Sequence, residues 1–90
     1  MHLQTAILHY LNNLPDDTGR TWFFVSRNKN CSLVGSVRGQ LVCLLVLTSD
    51  RRMTHEEIKF SARITQSNGE HYVVRSMDDI CEIAKVRGWL

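Results

Sequence analysis

The tightest grouping of acid and imidazole side chains is His55, Glu56 and Glu57, with Asp50 a short way upstream. Carboxylates and an imidazole together form the donor set of a divalent-metal site, so hydrolytic chemistry is the first reading of this run. Adjacent residues on a helix point about 100° apart, however, and three in a row cannot converge on one ion. Acids in a first turn that favour the helix dipole are the better account, and Asp78-Asp79 has the same explanation. No metal site is expected. His2, His9 and His71 have no ligand spacing to one another, and a cysteine-histidine nucleophilic pair needs a tertiary contact that spacing alone does not supply. The three cysteines, Cys31, Cys43 and Cys81, stand far apart and are odd in number. That fits neither a disulfide framework nor a paired-cysteine zinc site, so they are expected reduced and half-buried.

Charge is unevenly spread. Residues 20–63 hold eight Lys/Arg against three acids, a balance of +5, while the rest hold three against six, a balance of −3, giving +2 overall. Arg27, Lys29, Arg38, Arg51 and Arg52 fall in connections between apolar segments, where they suit either contact with phosphate or an acidic protein face, or simple solvation. Trp22, Phe23, Trp89 and Leu90 offer aromatic and apolar surface for an interface. Of these, at least one of Trp22 and Phe23 must be core, and Trp89 is expected to cap the last helix against the sheet.

These side chains must be positioned by one small domain, because 90 residues bury only a modest core. A hydrophobic fraction of 43%, a charged fraction of 22%, one proline and five glycines describe an ordinary globular composition. The longest apolar run, Leu41 to Leu47, is far short of the roughly 20 residues of a membrane span, and the expected location is cytoplasmic.

Leu3, Ala6, Ile7, Tyr10, Leu11 and Leu14 recur at helical spacing and predict an amphipathic first helix, closed by Pro15-Asp16-Asp17-Thr18-Gly19. Trp22 to Val25 predict a strand near 21–27, Cys31 to Val37 a second, Arg38-Gly39-Gln40 a tight connection, and Leu41 to Thr48 a third strand apolar enough to be central. Thr54 and Glu57 form a capping box before a helix with Ile58, Ala62, Phe60 and Ile64 inward, stopped by Asn68-Gly69. Glu70 to Arg75 predict a fourth strand, and Ser76 with Asp79 predicts a second capping box before a helix carrying Ile80, Ile83, Ala84 and Val86. The predicted order is α-β-β-β-α-β-α, a small α/β fold with a mixed sheet flanked by helices.

Three segments in this order resemble a known family. Leu3-Gln4-Thr5-Ala6-Ile7 resembles the opening helix of the VRR-NUC nucleases, members of the restriction-endonuclease-like PD-(D/E)xK superfamily. Met53-Thr54-His55-Glu56-Glu57-Ile58-Lys59-Phe60 resembles the family's leucine-threonine-proline-glutamate-glutamine helix start, and Val74-Arg75-Ser76-Met77-Asp78-Asp79-Ile80 its turn into the last helix. The resemblance runs from Leu3 to about Gly88. It implies a restriction-endonuclease-like core with an aspartate after a proline on the second strand and a Glu-x-Lys pattern on the third, which hold a divalent cation and position the attacking water.

Aligning Arg38-Gly39 with the family's hairpin puts Cys31-Ser32 where proline and aspartate belong and Leu45-Val46-Leu47 over Glu-x-Lys. No slip restores them, because no Asp or Glu stands between Asp17 and Asp50. The glutamine of the following helix is replaced by Glu57. Ser32, Leu45 and Leu47 are therefore degenerate catalytic positions, and with leucine at two of them the strand packs instead of holding charge. The expected protein is a non-enzymatic nuclease fold that binds, needs no cofactor and, as the family implies, forms a homodimer. The basic residues of its connections would flank the former cleft. A protein or nucleoprotein partner is the first expectation, as for a phage or mobile-element inhibitor of a host defence complex of the anti-CRISPR kind. The alternatives are DNA or RNA bound without cleavage and, last, a nuclease with displaced metal ligands.

Overall fold

The structure is a computed structural model describing residues 3–14, 22–25, 31–47 and 50–89, with residues 22–25 described by their backbone. The elements are α1 (Leu3–Asn12), β1 (Trp22–Val25), β2 (Leu33–Val37), β3 (Gln40–Val46), α2 (His55–Gln66), β4 (Glu70–Val74) and α3 (Met77–Val86). Their order is the one the periodicity predicts. They form one mixed sheet in the order β1-β2-β3-β4, in which β1, β2 and β3 are antiparallel neighbours and β4 lies parallel to β3.

Local chemistry explains the connections. Val37 pairs with Gln40, leaving a two-residue loop whose members, Arg38 and Gly39, both have positive φ, 53° and 81°. That is the backbone twist a tight hairpin needs. A parallel partner for β3 requires a crossover, which α2 supplies. Its N-terminus is the full capping box: Thr54 Oγ1 accepts from the Glu57 amide at 3.2 Å, and the Glu57 carboxylate accepts from the Thr54 amide at 2.8 Å. The last helix departs from the predicted reciprocal box. Ser76 Oγ accepts from the Asp79 amide at 3.2 Å, but the Asp79 carboxylate accepts from Arg75 N at 2.8 Å, one residue before the cap.

The two faces of the sheet are built differently. On one, Ile7 and Leu11 of α1 and Ile80 and Ala84 of α3 close over Leu33, Val37, Val42, Leu44 and Val74, with Trp89 completing the cluster. Alternation along β3 turns Cys43, Leu45 and Leu47 to the opposite face, where α2 packs along β4. Every residue from Val42 to Leu45 is buried, as expected of a strand covered on both sides.

The inward stripe of α2 is the predicted one only in part. Glu57 is buried and Phe60 and Ile64 half-buried, whereas Ile58 is 53% exposed and Ala62 is exposed. The capping box and the ion pair described below draw Glu57 inward, which rotates its neighbour Ile58, and Ala62 one turn on, away from the sheet. Val86, counted with the apolar stripe of α3, is likewise 72% exposed.

Candidate functional site

The β2–β3 pairing brings together Ser32, Leu45 and Leu47, the positions that the resemblance implies are degenerate. Leu33 stands opposite Leu44, and the Ser32 amide donates to the Leu44 carbonyl at 3.0 Å, so Ser32 lies beside Leu45. The chain bends at Ser32, where Gln4 Nε2 of α1 donates to its carbonyl at 3.2 Å. Its side chain takes the place of a ladder carbonyl: Ser32 Oγ accepts from the Val46 amide, between Leu45 and Leu47, at 2.9 Å. Leu45 and Leu47 are 2% and 1% exposed. Where these positions meet, the strand presents a bonded hydroxyl and two packed aliphatic chains.

The charged group on this side of the sheet is Glu57. Its carboxylate is 1% exposed and takes both arms of Arg51, Nη1 to Oε1 at 2.9 Å and Nη2 to Oε2 at 2.7 Å. Hydrogen bonds from Arg51 hold the Glu57 carboxyl down at about 2 against burial that pushes it up, and the Thr54 amide adds to the lowering. Arg75 Nη1 in turn donates to the Arg51 carbonyl at 2.8 Å. The segment between β3 and α2 is thus tied to the starts of α2 and α3, and Arg51 anchors the fold. It was expected as a free binding residue, and six residues of separation gave no sign of its partner.

Among the described residues, the other expected binding residues, Arg38 and Arg52, do not share one surface. Arg38 is at the β2–β3 hairpin tip and Arg51 and Arg52 follow the far end of β3, so the two groups are roughly 20 Å apart, the length of that strand. The expectation that Arg38 flanks the former cleft fails for this reason. Arg52 is exposed beside Arg51, and Arg27 and Lys29 lie outside the described residues. Trp89 is 5% exposed and packs edge-on against Tyr72 with ring centroids 6.2 Å apart, so it belongs to the core and not to an interface. The side chains of Trp22 and Phe23, and Leu90, lie outside the described residues.

His71 sits on β4 directly across from Cys43 and meets Phe60 edge-on at 6.3 Å. Burial pushes its pKa down, partly opposed by the Glu57 charge, and its Nε2 is buried without a hydrogen-bond partner among the described residues. The cysteines correct the sequence reading. Cys31 and Cys43, expected half-buried, are both buried, and the bend at Ser32 turns the Cys31 sulfur back over β3, where it donates to the carbonyls of Leu33 at 3.0 Å and of Leu44, beside Cys43, at 3.7 Å. Among the described residues no group of three or more His, Cys, Asp or Glu side chains is placed to hold a metal, and His55 and Glu56 are exposed while Glu57 turns inward. No helix among the described residues is long and apolar enough to cross a membrane. The chain matches no protein-family model, no curated protein and no solved structure.

Proposed function

We propose that this chain is a non-catalytic protein of the restriction-endonuclease-like, VRR-NUC kind that acts by binding a protein or nucleoprotein partner. The observation that supports this reading is the Ser32 hydroxyl bonded to the Val46 amide between two buried leucines. At the spot where the family gathers its aspartate, glutamate and lysine, there is no hard anionic ligand for a cation and no ammonium to position water. A phage or mobile-element inhibitor of a host nucleoprotein defence complex is a role in which such a scaffold works through its surface alone.

A protein partner is favoured over nucleic acid by the division of positive charge. Phosphate backbones are tracked by contiguous cations. Among the described residues of the basic set, Arg38 stands a strand's length from Arg52, and Arg51 is neutralised by Glu57. The test has two arms. Purified protein with supercoiled plasmid and magnesium or manganese is expected to give no nicking; metal-dependent nicking that scales with protein through further purification overturns the reading. Capture from a bacterial host lysate is expected to retain its partner after nuclease treatment, and loss of all partners on that treatment assigns binding to nucleic acid instead.

A further inference from the structure

We propose that Cys31 and Cys43 form an oxidisable dithiol, a modification site that takes a small hydroperoxide and closes to a reversible disulfide between the start of β2 and the middle of β3. The inference goes beyond the binding role above and does not depend on it.

The geometry is specific to this pair. The strand register alone places Val34, not Cys31, opposite Cys43. The bend at Ser32 brings the Cys31 sulfur back over β3, 3.0 Å from the Leu33 carbonyl oxygen and 3.7 Å from that of Leu44, the residue beside Cys43. The two thiols are 1% and 2% exposed, and each shifts the ionisation of the other. Cys81 cannot compete: it lies on α3, on the other side of the sheet, packed against the aliphatic cluster.

The chemistry is asymmetric. The neighbouring Cys43 and burial keep Cys31 protonated, while the Cys31 thiol nearby favours the Cys43 thiolate against its own desolvation. Cys43 is therefore the attacking sulfur. Its thiolate displaces at one peroxide oxygen, the O–O bond breaks, and the departing hydroxide takes up a proton to leave as water. The resulting sulfenic acid is attacked by Cys31, which gives up its proton as the S–O bond breaks and a second water departs. Two thiols are oxidised and one peroxide is reduced to two waters. An added dithiol reverses the bond by exchange.

Low exposure makes the reaction slow but selective. The reduced full chain is treated with hydrogen peroxide under native conditions, quenched by alkylation and mapped by peptide mass spectrometry without reduction. The expected result is a loss of two hydrogens per chain, with Cys31 linked to Cys43, Cys81 alkylated, and a higher melting temperature that dithiothreitol reverses. In denaturant the same treatment should scatter links among all three cysteines. Cys31→Ser should abolish the link and leave Cys43 to advance to the sulfinic acid, with circular dichroism confirming the fold; if that variant does not fold, the wild-type map decides alone. Native oxidation that links Cys81, joins separate chains, or leaves Cys31 and Cys43 unlinked while the denatured chain oxidises overturns the proposal.

Discussion

The two faces of the sheet solve the burial problem by different means. Under α1 and α3 the contacts are aliphatic, with Ile7, Leu11, Leu33, Leu44 and Ile80 fully buried and Trp89 closing the end. Under α2 the buried inventory mixes Leu45 and Leu47 with a carboxylate, two thiols and the ring nitrogen of His71. Apolar burial is additive and tolerant, whereas a buried charge is stable only while its partner is present. The first face therefore supplies most of the stability, and the second depends on one ion pair and a few hydrogen bonds. On this second face Leu45 and Leu47 pack the space beside Ser32 with aliphatic side chains.

The largest expected effect comes from returning a charge to that face. Leu45→Glu places an unpaired carboxylate at a position 2% exposed and should cost about 4 kcal/mol in urea unfolding. A variant made more stable by magnesium would show instead that this face can accept a cation. On the aliphatic face, Leu44→Ala should cost about 3 kcal/mol by lost transfer energy and cavity formation, since Leu44 is 0% exposed. Glu57→Ala should cost less, about 2 kcal/mol, because it removes half a capping box and the ion pair but also relieves a buried charge. A greater loss at Glu57 than at Leu44 would reverse the ranking of the two faces.

Acid should separate the faces without mutation. Both His71 and Glu57 have folded pKa values below their ordinary ones, so the unfolded chain binds the extra protons and stability falls as pH falls. The His71 contribution is present above its ordinary 6.5 and is lost below it; that of Glu57 is present above 4.5 and is lost as pH falls toward about 2. Melting temperatures across pH 8 to 2 should decline in these two windows, and Glu57→Gln should flatten the lower one. The smallest effect is expected at Arg52→Glu, an exposed site where stability should change by no more than about 0.5 kcal/mol, whatever happens to partner binding.

The order of elements was legible because each carries its own local signal. Helical spacing from Leu3, the Arg38-Gly39 turn and the Thr54–Glu57 box all act within a few residues, and all three appear in the structure. Reading failed where tertiary contacts overrode local pattern. Ile58 looked inward by hydrophobicity, but the ion pair six residues back at Arg51 turned Glu57 in and Ile58 out. No local pattern marks the gathering of Ser32 with Leu45 and Leu47, which the strand register and the bend at Ser32 produce. The Cys31–Cys43 contact had no signal at all, since it depends on a bend that no glycine or proline marks.

That same bend leaves one amide in an unusual position. Along β3 the N–H groups are shared with β2 and β4, but the proton on Val46 is held by a side-chain oxygen. Its exchange with solvent deuterium therefore reports on a single hydroxyl. Ser32→Ala would leave that amide without its acceptor and should raise its exchange rate well above that of its neighbours in β3, while amides near the Arg38 hairpin keep their protection. Deuterium uptake at one backbone position thus becomes a local gauge of whether the packing around Ser32, Leu45 and Leu47 is closed, readable before any partner is known.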